Sequence, residues 1–247
     1  MHASRLKNET NNWAGAQKPP IFDGNILFML QIQSFVFNPF QENTFVLFDE
    51  TKECIIVDPG CVEEGEKAEL KNFIERQKLR VKLLLNTHCH IDHVLGNRFV
   101  KETYKVNLLI HRVEEPVLKA AEVYAPSYGF HLYEHQSADG FLEEGDIIKM
   151  GNQNFIVLFV PGHSPGHVAF YSEKNRMLIG GDVLFYNSIG RTDLPGGDSD
   201  LLIKSIHSKL FRLPDHVKVY PGHGPETTIG FEKKTNPFCA VNNINIE

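Results

Sequence analysis

Residues 86–93 read Asn86-Thr87-His88-Cys89-His90-Ile91-Asp92-His93, and this stretch with its flanks decides the fold. Just before it, Val81-Lys82-Leu83-Leu84-Leu85 is a short, mostly apolar run of the kind buried in a sheet. Just after it, residues 94–104 take up helical spacing. The histidine cluster therefore stands at a strand's carboxyl end, where α/β sheets gather ligand sites and where the next helix aims its first N–H groups. A loop leaving a strand turns residues i and i+2 to one side, while i+4 and i+5 enter the helix and face a neighbouring point. His88, His90, Asp92 and His93 thus offer imidazole and carboxylate ligands to two adjacent points, a donor set suited to zinc, iron or manganese. Read as an accidental polar turn, the same residues would have to stay solvated beside a buried strand at a desolvation cost of several kcal/mol.

Three further candidates follow apolar strands: His163 in Pro161-Gly162-His163-Ser164-Pro165-Gly166-His167, Asp182 in Gly180-Gly181-Asp182, and His223 in Pro221-Gly222-His223-Gly224-Pro225. A Pro-Gly-His alone is an ordinary turn. The glycines let the backbone turn sharply and approach an ion or substrate closely. Cys89 alternates away from its neighbours and reads as a small buried residue rather than a nucleophile.

On the amino-terminal side, residues 31–37, 43–48 and 54–57 read as strands, the last ended by Asp58-Pro59-Gly60. Leu70, Phe73 and Ile74 mark a helix between that strand and the next, and residues 106–110 give a fifth strand. Residues 124–138 lack periodicity but hold Tyr124, Tyr128, Phe130 and Tyr133, and read as a long aromatic loop, either a lid or packing on the domain. Strands then recur at 147–150, 155–159, 168–171, 177–179 and 217–220. One helix interrupts them, starting at Asp198 or Ser199, with Leu202, Ile206, Leu210 and Leu213 as its buried stripe. Closely spaced strand pairs argue against a doubly wound parallel sheet. The pattern predicts an α/β fold, an αββα sandwich of two mixed β-sheets with outer helices.

The whole chain has 247 residues and a formal charge of -6, from 25 Lys and Arg against 31 Asp and Glu, so no global basic field is present to attract nucleic acid. Four scattered cysteines fit neither a zinc ribbon nor a disulfide framework, and a cytoplasmic, reducing location is expected. No run approaches the roughly 18 apolar residues of a membrane span, so no membrane partner is expected. Residues 1–28 are mostly polar, without periodicity before Ile26, and are expected to be a loosely ordered leader, its first twenty or so residues dispensable, before a domain over 29–247.

Residues 29–247 resemble the metallo-β-lactamase superfamily through the series T-H-x-H-x-D-H at Thr87 to His93, P-G-H-S-P-G-H at Pro161 to His167, Gly181-Asp182 and Gly222-His223-Gly224. The resemblance implies the αββα fold and two divalent metal ions, zinc first, with iron or manganese as alternatives. It places His88, His90 and His163 on one ion, Asp92, His93 and His223 on the other, and Asp182 between both, with His167 supporting its loop. It also implies a nucleophilic hydroxide shared by the ions, with Asp92 as its orienting or proton-accepting catalytic residue. Asp182 stands where the commonest class of true β-lactamases has cysteine, and the loop Gly190 to Asp198 is similar to that of small single-domain bacterial glyoxalase II relatives. The implied function is hydrolysis of a small thioester, with Arg191 and Asp193 as substrate-binding residues; an alternative for Arg191 is a plain surface pair with Asp193. Full-length glyoxalase II has a helical domain gripping glutathione, whereas about two dozen residues follow His223 here. Alternative functions are hydrolysis of another ester or amide, and a persulfide dioxygenase with one iron on His88, His163 and Asp182.

Overall fold

The computed structural model describes residues 30–241; the expected leader, residues 1–28, lies outside them. In chain order the elements are β1 (Gln31–Phe37), β2 (Glu42–Phe48), β3 (Glu53–Val57), α1 (Glu64–Gln77), β4 (Arg80–Leu85), α2 (Ile91–Val94), α3 (Asn97–Tyr104), β5 (Asn107–His111), α4 (Glu115–Tyr124) and β6 (Gly140–Leu142). The second half follows with β7 (Ile147–Met150), β8 (Gln153–Phe159), β9 (Val168–Ser172), β10 (Met177–Gly181), β11 (Leu184–Phe185), β12 (Ser188–Ile189), α5 (Ser199–Ser208), β13 (Lys218–Pro221), β14 (Thr227–Thr228) and α6 (Ile229–Thr235).

One sheet has the order β1-β2-β3-β4-β5-β6, antiparallel through β3 and parallel from β3 to β6. The other has the order β14-β13-β10-β9-β8-β7, with β10 and β13 its one parallel pair. Strand alternation sorts side chains between two cores. Phe45, Leu47, Ile55 and Val57 point into the layer between the sheets, where Phe155, Phe170 and Ile179 meet them. Val46, Phe48, Cys54 and Ile56 point the other way, onto Leu70 and Phe73 of α1 and Leu118 of α4. A third cluster packs Leu202 and Ile206 of α5 on Leu178 and Val219. Coverage on both faces explains why β2 is buried at all seven positions. The chain is an αββα sandwich of two mixed sheets, as its strand pattern predicts.

Three local expectations need correction. The helix read over 94–104 is two helices, because Gly96 passes under the β3 turn: its N–H donates to Pro59 O at 2.7 Å, and a Cβ there would meet Cys61 Sγ at 2.6 Å. The stripe from Leu202 to Leu213 outlasts its helix, which stops at Ser208 and continues as a single 3-10 turn over Leu210–Arg212. The aromatic segment 124–138 is partly helical, since Tyr124 ends α4 and Ala125–Tyr128 is a 3-10 turn. Its aromatics divide: Phe130 and Tyr133 pack on the core, while Tyr124 and Tyr128 line an open cavity.

Candidate metal centre

Parallel strands send their carboxyl ends the same way, and the site grows from those ends. His88 and His90 lie in the loop leaving β4, Asp92 and His93 in the one-turn helix α2, His163 between β8 and β9, Asp182 directly after β10, and His223 directly after β13. All seven predicted residues meet, although 135 positions separate the first from the last (His88 and His223). His88, His90 and His163 form one trio of convergent ligand atoms and Asp92, His93 and His223 another. His163 Nε2 lies 3.2 Å from His88 Nε2 and 2.9 Å from His90 Nδ1. In the second trio Asp92 Oδ2 lies 3.1 Å from His223 Nε2 and 3.5 Å from His93 Nε2. Asp182 stands between the two: its Oδ2 is 3.6 Å from His163 Nε2 and 3.5 Å from His223 Nε2, and its Oδ1 is 3.5 Å from His93 Nε2.

Hydrogen bonds on the outer edges of the rings decide what the inner edges present. A carbonyl oxygen can only accept, so His163 Nδ1 carries a proton and donates it to Arg191 O at 2.7 Å. His223 Nδ1 likewise donates to Phe40 O at 3.1 Å. His93 Nδ1 faces Asp58 Oδ2 at 3.2 Å. Thr87 Oγ1 gives its own proton to Asp58 Oδ2 at 2.6 Å, so it accepts from His88 Nδ1 at 3.1 Å. The neutral rings of His88 and His163 therefore turn their Nε2 lone pairs inward, where they face each other 3.2 Å apart. Two lone pairs at that distance repel unless a cation or proton joins them.

Two more observations fit a cation. His93 Nε2 and Asp182 Oδ1 are buried without a hydrogen-bond partner, which a native interior rarely tolerates. Gly222 keeps the space beside them open, since a Cβ there would come within 2.1 Å of Asp182 Oδ1. Burial holds His88 and His163 below the usual imidazole range and His90 at about 3, so all three are neutral and ready to ligate. Burial alone would lower His93 too, but Asp92 and Asp182 outweigh it and hold that ring well above its ordinary value.

Other residues hold the site in shape without reaching it. Asp58, read in the sequence only as a turn residue, accepts from Thr87 N at 2.7 Å as well as from Thr87 Oγ1, and faces His93. Its grouping with His88 and His93 is thus a hydrogen-bonded support behind the rings. Glu114, at the start of α4, had no place in the sequence reading. It is wholly buried and accepts from Cys89 N at 2.8 Å, Ser164 Oγ at 2.6 Å and Gly166 N at 2.6 Å, tying the His88–His90 loop to the His163 loop. His167 stacks on His88 and accepts from Asp182 N at 3.0 Å, a supporting role. Cys89 is buried between the two ligand residues, and burial with Glu114 pushes its thiol well above the ordinary range.

The sequence comparisons agree with this geometry. The profile of the Metallo-beta-lactamase superfamily matches residues 37–223. The chain belongs to the metallo-beta-lactamase superfamily. Among its relatives, hydroxyacylglutathione hydrolase GloC of Haemophilus influenzae (strain ATCC 51907 / DSM 11121 / KW20 / Rd) is 37% identical over 211 residues, covering 85% of this chain and 98% of that protein. Two solved structures of the superfamily fold are similar throughout. BLEG-1 B3 metallo-beta-lactamase has a TM-score of 0.77 at 38% identity, covering 84% of this chain and 99% of its own. TTHA1623 in a di-iron-bound form has a TM-score of 0.74 at 36% identity, covering 83% and 99%.

The cluster opens into a cavity of about 670 Å³ lined by His90, Asp92, His163, Asp182 and His223 together with apolar side chains. Arg191 lines it too. Its Nε and Nη2 each donate to a carboxylate oxygen of Asp193 at 2.7 Å, so the two substrate-binding candidates are bound to one another.

Proposed function

We propose that this superfamily member is a metal-dependent hydrolase of the glyoxalase II type, acting on a small thioester. In this reading His88, His90 and His163 hold one divalent ion, Asp92, His93 and His223 hold a second, and Asp182 is shared. The carrying observation is the inward-facing, partnerless edge of the cluster: opposed His88 and His163 lone pairs and the unpaired His93 Nε2 and Asp182 Oδ1. Zinc is the first choice for this nitrogen-rich donor set, with iron next, supported by the similar structure in a di-iron form.

When bound by these residues, divalent cations would lower the pKa of a water towards neutrality and polarise a carbonyl oxygen. This chain's own residues do the rest. Burial raises the Asp92 carboxyl, but His93 and His223 outweigh that and keep it below the usual range, so at neutral pH it is a carboxylate lining the cavity. There it orients the attacking water or takes its proton. A thiolate leaves without a general acid, because thiols have a pKa near 8.5. Cys89, buried and held as a thiol, offers no competing nucleophile. A small thioester is further supported by the relative that carries the name hydroxyacylglutathione hydrolase. The similar BLEG-1 B3 metallo-beta-lactamase supports a second reading, hydrolysis of a cyclic amide. Cytoplasmic location belongs to the proposal on the four free, buried thiols; no helix among the described residues is long and apolar enough to cross a membrane.

The test is metal analysis of protein purified without added metal, with four activities measured before and after chelation: lactoylglutathione hydrolysis, hydrolysis of a neutral thioester, β-lactam opening, and oxygen uptake on glutathione persulfide. The expected result is thioester hydrolysis that disappears on chelation and returns with zinc. Oxygen uptake without thioester hydrolysis would overturn the reading in favour of a dioxygenase, and β-lactam opening alone would favour the amide.

A further inference from the structure

The cavity above the cluster is walled by apolar side chains. From α4, Pro116, Val117, Ala120 and Tyr124 line it, at offsets of one, four and eight residues that bring them to one helix face. Phe185 and Ile189 of the β11–β12 hairpin add to the wall, as do Leu194 and Pro195 of the loop beyond it. At the rim Phe40 and Tyr128 meet edge to face at 5.7 Å, and both remain partly exposed, at 41% and 50%. Phe40 also holds His223 through its carbonyl, so the rim and the cluster share a residue.

Charge is scarce. Apart from the cluster's own histidines and carboxylates, Arg191 is the one charged side chain among the described residues lining the cavity. Its guanidinium is already engaged at two points by Asp193. A substrate carboxylate arriving there would exchange one carboxylate for another and meet Asp193 as a like charge. Such an exchange at an exposed ion pair returns little. A glutathione tail, with two carboxylates and one ammonium, therefore finds no dedicated partner among the described residues lining this cavity.

Resting on the hydrolase reading above, we propose that the cavity is a subsite for an uncharged apolar group beside the scissile bond, an aryl ring or an alkyl chain of about six carbons. Buried apolar area selects the substrate here. The size of the cavity is that of an ordinary small-molecule pocket, and its make-up, mostly apolar with a few convergent polar groups, is what such pockets share. The apolar group can belong to the acyl or to the thiol part, and the two origins are separable by experiment.

The metal-loaded full chain is assayed on one series with glutathione as thiol and acetyl, butyryl, hexanoyl, phenylacetyl or lactoyl as acyl. A second series keeps acetyl and varies the thiol from N-acetylcysteamine to hexanethiol and benzyl mercaptan. Burial of a methylene is worth about a fourfold gain in kcat/KM. The expected result is a rise of at least about tenfold from acetyl to hexanoyl, or from the short to the long thiol, and the series that rises identifies which part enters. Ala120→Trp and Ile189→Ser, one filling the cavity and one making it polar, should each pull the long-to-short ratio towards one. Flat ratios in both series, or lactoyl preferred over hexanoyl in wild-type protein, would overturn the subsite. Calorimetric binding of S-hexylglutathione beside S-methylglutathione needs no turnover: tenfold tighter binding of the hexyl compound supports the subsite even if every thioester proves inert, and equal binding refutes it even if thioesters are cleaved.

Discussion

Glu114 Oε2 accepts the backbone N–H of Cys89 at 2.8 Å, so a buried carboxylate at the N-cap of α4 grips the loop between His88 and His90 from behind. Its Oε1 holds Ser164 and Gly166, which flank the other side of the first trio. Removing it leaves three buried donors unpaired, each costing about 1–3 kcal/mol. Glu114→Ala is therefore expected to destabilise the protein by about 3–5 kcal/mol, a fall in Tm on the order of 10 °C, and to weaken metal binding about 10- to 100-fold. Glu114→Gln, which keeps one acceptor, is expected to fall between. Calorimetry and a competition titration with a chromophoric chelator measure both; wild-type Tm and affinity in Glu114→Ala would show that the loops do not depend on this residue.

Acid should unfold the metal-free protein earlier than the metal-loaded one. Burial lowers His88, His163 and His167 and takes His90 to about 3, so in the folded chain these rings bind protons less readily than in the unfolded chain. Their contribution is complete above an unfolded imidazole value of about 6.5 and is lost as pH falls from there towards 3. Asp92 and Asp182, held low chiefly by His93 against the raising effect of burial, lose stability in the same direction at lower pH still. His93 and His223 are raised and act oppositely, stabilising below about 6.5. The four lowered rings outnumber them. The expected outcome is a Tm of chelated protein that declines from pH 6.5 to pH 4; a Tm that rises over this range would contradict it.

The thiols should be silent in the folded protein. Cys54, Cys61, Cys89 and Cys239 are free and buried, and burial pushes Cys54, Cys61 and Cys239 up to about 12. Titration with a disulfide reagent at pH 8 is expected to find none of the four in native protein and all of them after unfolding. Rapid modification of Cys89 in native, active protein would reopen its role as a nucleophile.

The seven residues that the structure brings together were legible because each is a ligand type in the loop or short helix that follows an apolar strand, a pattern independent of how the sheets stack. Asp58 and Glu114 were not, since a supporting carboxylate acts through hydrogen bonds to backbone and neighbouring side chains and leaves no spacing of its own. Asp58 carried a signal read only as a turn: it directly follows β3, whose parallel pairing of Val57 with Leu85 brings it beside the Asn86-Thr87 segment. Helix α4 was missed because its core face is carried by Leu118 and Ala121 alone, with a proline in the first turn, too weak a stripe to register. That omission also hid the cavity wall. The split of α2 from α3 follows from the close passage of Gly96 under Pro59, a tertiary contact that local periodicity does not encode.

The central claim is a two-ion centre with Asp182 shared between the ions, and a crystal structure of metal-loaded protein with anomalous scattering data tests it most directly. The account expects two peaks, one among His88, His90 and His163 and one among Asp92, His93 and His223, with Asp182 oxygens at about 2.0–2.2 Å from both. A single peak, or Asp182 lying more than about 3 Å from both ions when the range for a bound carboxylate is that short, would contradict it.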